Sequence, residues 1–183
     1  LVLLLAALGT EAAMRHWRGL GLIDLRDAST DYRLLMWRDG LRLIHAHPWF
    51  GVGMDIIRVY WWEFDLAAYQ KYRYRLHFHS TPIQIAVERG LPALAAWVLL
   101  MAVYWWTLVR LTRLTRTLAQ ADWASYGLAL GSLGGTSGFL ASSLVHYNFG
   151  DSEVVLLFWF LAGLALACQR RANTPRARRV PAE

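Results

Sequence analysis

The sequence 75–92, R-L-H-F-H-S-T-P-I-Q-I-A-V-E-R-G-L-P, joins a polar turn with two histidines to an apolar run long enough to cross a bilayer. A buried helix rarely begins beside two histidines and an arginine, so we interpret this junction as the candidate active site. Thr81 and Pro82 fit the N-cap and the first position of a helix. The sequence therefore places His79 and Ser80 just outside the amino end of a long helix.

The composition is that of a membrane protein. Hydrophobic residues make up 56% of the 183 residues, aromatic residues make up 14%, and the mean hydropathy is +0.28. Much of the net charge of +6 comes from arginines that flank apolar segments, where positive charge sets topology. We therefore expect contact with membrane lipids and no nucleic-acid partner. The single cysteine, Cys168, lies in an apolar run and is expected to be a packing residue.

The chain divides into four parts. Crossing a bilayer takes about 20 helical residues, so the short apolar stretch at the start predicts the end of a truncated transmembrane helix. The long region that follows has eleven basic and nine acidic residues among positions 10–89, which favours a folded loop domain over a disordered linker. The predicted parts are the truncated helix 1–9, the loop domain 10–90, three transmembrane helices within 91–168 and a basic tail 169–183.

The three predicted spans cover residues 91–109, 124–145 and 154–168. The second span carries five glycines in overlapping G-x-x-x-G spacings, which predict a face for close helix packing. Arginines follow the first span and fill the tail, so the positive-inside rule places those ends in the cytoplasm. The loop domain and the acidic turn 146–153 are then expected together on the outer side.

Residues 32–46 give the clearest helical pattern of the loop domain. The apolar residues recur at spacings of three and four and form one apolar stripe, made of Leu34, Trp37, Leu41 and Ile44. Arg33 lies on the first turn, one helical turn before Trp37. The sequence H-P-W-F-G-V-G at 47–53 then predicts a tight turn against the membrane surface.

The junction could accept a proton and hold an anion. The positive end of a helix dipole disfavours imidazolium and attracts anions, so His79 is expected to be neutral beside a phosphate or diphosphate. A neutral imidazole suits proton abstraction from a hydroxyl. Arg33 and Arg75 are candidate anion ligands, because guanidinium groups match phosphate oxygens. The residues alone also allow His79 to be a polar anchor and Arg33 a snorkelling surface residue.

Two histidine pairs, His45/His47 and His77/His79, raise the question of zinc. Structural zinc sites need four ligands and catalytic sites three. No cysteine and no nearby third ligand completes either pair in the sequence, so we expect no metal and no cofactor.

Three segments carry a resemblance to a known family. They are R-L-L-M-W-R-D-G-L-R-L-I-H-A-H-P-W-F-G-V-G at 33–53, H-S-T-P-I-Q-I-A-V-E-R-G-L-P-A at 79–93 and G-F-L-A-S-S-L-V-H-Y-N-F-G-D at 138–151. Their R-x-x-x-W helix, their H-P-x-x-G-V-G turn and the spacing from His79 and Ser80 to Gly90 resemble the C-terminal part of the O-antigen ligase and polymerase family of bacterial inner membranes. Pro82 and Ala93 depart from the family pattern, so acceptor contacts are expected to differ.

The resemblance implies an all-α, polytopic membrane protein of the GT-C type with a large periplasmic loop, of which this chain would be a C-terminal fragment. Such enzymes move a glycan, without a metal, from undecaprenyl diphosphate to an acceptor hydroxyl, here foremost from O antigen to lipid A-core. By position, His79 matches the proposed base and Arg33 the arginine that holds the donor diphosphate. Arg75, Ser80 and Trp37 are expected to bind substrate. The family contributes a further arginine from upstream of residue 1, outside this fragment, so the fragment alone is expected to be inactive.

Other functions stay open at this point. Within the same enzyme class, the protein could polymerise repeat units or transfer oligosaccharides to protein hydroxyls. Outside it, the chain could belong to a transporter or a structural membrane subunit. A transporter usually places ionisable groups within its spans, and the predicted spans 91–109 and 124–145 have none.

Overall fold

The computed structural model describes residues 28–72, 77–117 and 122–173, with side chains up to 170. The predicted truncated span 1–9, the end of the tail and Arg75 lie outside the described residues. Regular structure in the described part is helical throughout, as predicted. The α-helices are α1 Ala28–Ala46, α2 Ile56–Val59, α3 Ala67–Tyr72, α4 Thr81–Arg116, α5 Trp123–Ser143 and α6 Ser152–Asn173, and short 3₁₀ helices cover Trp61–Glu63 and Asn148–Gly150.

Helix α4 consists of two helical segments, 81–89 and 91–116, separated at Gly90, where φ is 83° and ψ is 173°. The turn that follows α1 fills this break, and a Cβ added at Gly90 would overlap the carbonyl of Trp49. Three backbone hydrogen bonds join the two parts: Val52 N to Val87 O (2.8 Å), Gly53 N to Glu88 O (3.1 Å) and Leu91 N to Pro48 O (2.7 Å). The break therefore lies one residue before the predicted start of the first span.

The buried face of α1 overlaps only partly with the predicted apolar stripe, of which Trp37 and Ile44 are half-buried. Leu34 and Leu41 of the predicted stripe are 43% and 61% exposed. The residues that α1 buries are Tyr32, Met36, Asp39, Gly40 and Leu43. Close packing against the first segment of α4 selects this face, because a Cβ added at Gly40 would lie only 2.5 Å from Ile83 Cγ2.

Polar bonds fix α3 against α1. The Asp39 carboxylate, which is buried, accepts a hydrogen bond from Ala68 N at 3.1 Å and so satisfies the amino end of α3. At the other end, Asp31 accepts hydrogen bonds from Lys71 Nζ at 2.8 Å and Tyr72 Oη at 2.6 Å. Helix α1 begins earlier, at Ala28, so Asp31 lies within its first turn and its carboxylate binds α3.

Two helices, Thr81–Arg116 and the part Ser152–Arg170 of α6, are long and apolar enough to cross a membrane. This is consistent with a membrane protein. The predicted span 124–145 largely coincides with α5, which is rich in glycine and serine and is not among these two.

The glycines of α5 do not form the predicted close helix contacts within the described part of the chain. A Cβ added at any of the five would touch nothing within 4 Å: Gly127, Gly131, Gly134, Gly135 and Gly138.

The second segment of α4 carries large exposed apolar side chains. An open apolar groove of about 810 Å³ runs along it, lined among others by Trp97, Met101, Trp105 and Leu140. Trp105 Nε1 donates a hydrogen bond to Ser137 Oγ at 2.9 Å and so links α4 to α5. Exposed apolar surface of this extent suits lipid or further helices better than water.

The Gly90 break can be tested by substitution. We expect Gly90→Ala to lower the free energy of unfolding by at least about 1–3 kcal/mol, because a positive φ and an overlapping carbonyl both oppose a Cβ. Thermal unfolding of the protein in detergent measures this change. The control is Gly163→Ala on α6, where an added Cβ meets no atom within 4 Å and alanine should stabilise the helix by up to about 1 kcal/mol. Equal melting temperatures for both variants would contradict the close packing of the 48–53 turn against Gly90.

Candidate functional site

The junction before α4 is extended and then enters the helix at Thr81. Ser80 is the N-cap, with φ −160° and ψ 119°, and its carbonyl accepts a hydrogen bond from Gln84 N at 2.9 Å. The predicted N-cap, Thr81, is therefore wrong by one residue, and Pro82 is the second helical residue. Ser80 is buried and its hydroxyl makes no capping bond.

His79 has a left-handed backbone, with φ 50°. This region is sparsely populated by residues other than glycine, although histidine is enriched there, and such strain often marks functional sites. Gln84 holds the segment from the helix side, because its Oε1 accepts a hydrogen bond from Phe78 N at 2.9 Å and its Nε2 donates to Glu88 Oε1 at 2.7 Å. The fully buried Phe78 ring anchors the same segment in the core.

The connection between α5 and α6 packs on the amino end of α4. Thr81 donates to the carbonyl of His146 from its backbone N at 3.1 Å and from Oγ1 at 3.0 Å. Asn148 N donates in turn to Thr81 Oγ1 at 3.2 Å. The Asn148 amide donates to Phe139 O at 3.1 Å and Ser143 Oγ at 3.0 Å, and so ties the connection to α5. Thr81 therefore joins two parts of the chain instead of capping its own helix.

This packing brings three histidines together. The ring centroids of His77 and His79 are 4.4 Å apart, and His146 lies 5.7 Å and 6.3 Å from them. One nitrogen from each ring lies within 4.8 Å of the other two. The expectation that no third ligand is near the His77/His79 pair was therefore wrong in space, because His146 comes from a distant part of the sequence.

Helix α1 also contacts His79. The Tyr32 ring meets the His79 ring edge to face, with centroids 5.7 Å apart. Arg33 is the next residue, and its charge is close enough to affect the protonation of His79. Arg33 Nε and, one turn on, Trp37 Nε1 are buried without a hydrogen-bond partner among the described residues. Four of the five predicted site residues thus lie on α1 or the junction, while Arg75 lies outside the described part.

Both junction histidines are held neutral. Burial lowers the pKa of His79 from 6.5 to about 4, with further lowering from His77, Arg33 and His146. Burial also lowers the pKa of His77, with help from His146. The predicted direction for His79 is the same, although the helix dipole was the expected cause and burial is the main one. At neutral pH the site offers uncharged imidazoles beside a guanidinium.

Comparison with known families identifies the chain. A family model described as O-antigen ligase matches residues 1–98, which is more than half of the 183 residues. The chain belongs to the O-antigen ligase family. The match confirms the resemblance seen in the sequence, and it includes Arg33, Trp37 and the whole junction. A search of curated proteins finds no significant match.

Several residues of this O-antigen ligase family site escaped prediction. Gln84 and Glu88 have the i, i+4 spacing of a helical pair, which is a local signal. His146 and Asn148 lie in the family-like run 138–151, but no local spacing predicts their place in the site, because they reach the junction only through the fold. They also lie outside the residues matched by the family model. The described site of this family member therefore combines residues inside the family match with residues from the connection between α5 and α6, which follows the match in sequence.

The Thr81 link predicts a specific loss of stability. Thr81→Val keeps the shape of the buried side chain but leaves the amide of Asn148 without its acceptor, so we expect unfolding to become easier by about 1–3 kcal/mol. Thr81→Ser retains the hydroxyl and should lose much less. Thermal unfolding and the rate of proteolysis within 144–151 report the change. Equal stability of Thr81→Val and Thr81→Ser would show that the Thr81 hydroxyl does not hold the 144–151 connection.

Proposed function

We propose that this protein transfers a glycan from undecaprenyl diphosphate to an acceptor hydroxyl on the periplasmic side of the inner membrane, foremost by joining O antigen to lipid A-core. Family membership supports a ligase-like or polymerase-type glycosyltransferase function in general. The observation that carries the finer proposal is the arrangement of a half-buried, neutral His79 near Arg33 at the amino end of a helix.

The proposed reaction is an inverting displacement. The oxygen of the acceptor hydroxyl attacks the anomeric carbon of the donor sugar, and a new glycosidic bond forms as the bond to the diphosphate oxygen breaks. The hydroxyl proton passes to a neutral nitrogen of His79, and the bonding electrons leave with the diphosphate. His79 suits this role because burial keeps its pKa at about 4, so the imidazole is free to accept a proton at neutral pH.

The leaving group needs positive charge. Arg33 would hold the diphosphate, because its guanidinium Nε lacks a partner among the residues described. The amino end of α4 adds a favourable field for an anion, and Arg75 is proposed to assist. Bound diphosphate would also raise the pKa of His79 by direct attraction of the imidazolium, so donor binding would strengthen the base. No metal is required in this scheme.

Two further side chains would position the sugars. Trp37 lies one turn from Arg33 with its indole N–H unpaired in the described structure, and its flat ring suits stacking against a sugar. Ser80 lies beside His79, and its hydroxyl makes no capping bond within α4. We propose that both residues contact the donor or the acceptor.

The proposed orientation follows from contacts and charge. The 144–151 connection bonds to the amino end of α4, so these two regions lie on the same side. Arg110, Arg113 and Arg116 lie at the opposite end of α4, where the positive-inside rule places the cytoplasm. Helix α5 would then be a third span, and the protein would be a multi-pass transferase of the GT-C type with the junction facing the periplasm.

Substitution of the two proposed site residues tests the function. In a deletion strain that expresses each variant, we expect His79→Ala to reduce glycan transfer by about 10²–10⁴-fold, the usual contribution of a general base. Arg33→Ala should reduce it by about 10²–10³-fold, as loss of one electrostatic stabiliser does. Arg33→Lys should retain only part of the wild-type glycan transfer, because lysine cannot bind phosphate bidentately. Lipopolysaccharide banding patterns measure transfer, and immunoblots of membranes verify insertion.

The matched controls are His45→Ala and Arg38→Ala, two exposed residues of α1 that should leave the banding pattern intact. Unchanged transfer by inserted His79→Ala and Arg33→Ala variants would overturn the assignment.

The lipopolysaccharide banding pattern of the deletion strain also distinguishes a ligase from a polymerase. A ligase leaves lipid-linked polymer and bare core, whereas a polymerase leaves core that carries single repeats.

Reporter fusions test the orientation. A fusion after Arg116 should be active only as a cytoplasmic reporter, and a fusion near Ala68 only as a periplasmic one, because the arginine-rich end of α4 stays inside. Paired alkaline phosphatase and green fluorescent protein fusions measure this. Both fusions on the same side would contradict the proposed topology.

A further inference from the structure

We propose that His77, His79 and His146 form a binding site for Zn²⁺, and that zinc held there inhibits the enzyme reversibly. The binding part stands on the histidine cluster alone. The inhibition part rests on the proposed function, because zinc would occupy the imidazole that accepts the acceptor proton. The site is thus inhibitory, and the transfer reaction itself stays independent of metal.

The spacing of the three rings is close to that of a zinc site. One nitrogen from each of His77, His79 and His146 lies within 4.8 Å of the other two. Tetrahedral zinc with bonds of about 2.0–2.1 Å to nitrogen holds its ligand atoms roughly 3.4 Å apart. The nitrogens therefore need to close by at most about 1.5 Å. Because the His146 side chain is exposed, it can make most of this movement by rotating about its own bonds.

Two of the three rings carry a nitrogen that no protein group binds in the part of the chain described. His79 Nδ1 and His77 Nε2 are buried and have no hydrogen-bond partner in the part of the chain described. Zinc binds imidazole in its neutral form. Imidazole nitrogen is a preferred ligand of zinc, copper and nickel. Three histidines leave the fourth zinc position open for water or a phosphate oxygen.

The surroundings indicate a reversible site instead of a structural one. Arg33 and the amino end of α4 place positive charge near the cluster, and no carboxylate of the described residues joins the three histidines. The junction is already fixed by Gln84 and Thr81 through hydrogen bonds to protein groups. Metal is therefore not needed for the fold, and zinc should bind weakly enough to be removed by a chelator.

Direct binding is the first test. Purified protein in detergent, freed of metal with a chelator, is titrated with ZnCl₂ against a chromogenic zinc indicator. We expect one site per chain, with affinity at least about tenfold weaker in His146→Ala and in His77→Ala, since loss of even an outer partner of a ligand costs about 10–100-fold. His45→Ala and His47→Ala are matched exposed controls and should bind as the wild type does. Absence of binding, or equal binding by His146→Ala, would overturn the site.

Inhibition is the second test. In an in vitro transfer assay with lipid-linked donor, zinc should inhibit the wild type and EDTA should restore its rate. The ratio of rates with and without zinc should move toward one in His146→Ala, whatever the rate of that variant without zinc. An unchanged ratio would overturn the inhibitory role. A wild type that transfers no glycan in EDTA would instead refute the proposed function, while the binding titration still decides the zinc site.

Discussion

The docking of the 48–53 turn into the break at Gly90 is the constraint on which the site depends. Two of its three backbone hydrogen bonds satisfy Val87 O and Leu91 N, which a continuous α4 would pair with each other, and the third satisfies Glu88 O, which Pro92 could not because proline has no N–H. Because the turn directly follows α1, docking lays α1 along the first segment of α4. Gly40 then meets Ile83, and Tyr32 reaches His79. Arg33 is brought toward the junction by the same packing, although it lies far from His79 in sequence.

Hydrogen bonds of Thr81 hold the connection between α5 and α6 against the same junction. This connection packs on the junction and contributes His146. Burial, more than the helix dipole, then keeps the imidazoles of His77 and His79 neutral. Neutral imidazole can accept a proton or bind zinc, and nearby positive charge favours a bound anion. One physical environment thus underlies both the proposed transfer and the proposed inhibition.

Much of this arrangement is predictable from sequence where the signals are local. The all-helical class, a helix across 32–46 and the boundary near Gly90 follow from periodicity and from glycine and proline. The buried face of α1 does not follow from the sequence, because a periodicity argument considers only the positions of apolar residues. Here a glycine and an aspartate, Gly40 and Asp39, select the face, which leaves Leu34 and Leu41 exposed. His146 is unpredictable for another reason, since only tertiary packing brings it to His79.

The central claim is that Arg33 and His79 belong to one site for a lipid diphosphate. A cryo-electron microscopy structure of the membrane-embedded protein with undecaprenyl diphosphate tests it most directly. The diphosphate should lie within hydrogen-bond reach of the Arg33 guanidinium, at the amino end of α4, with the His79 ring facing the space next to it. A diphosphate bound away from both residues, with His79 and Arg33 in contact only with protein, would contradict the claim.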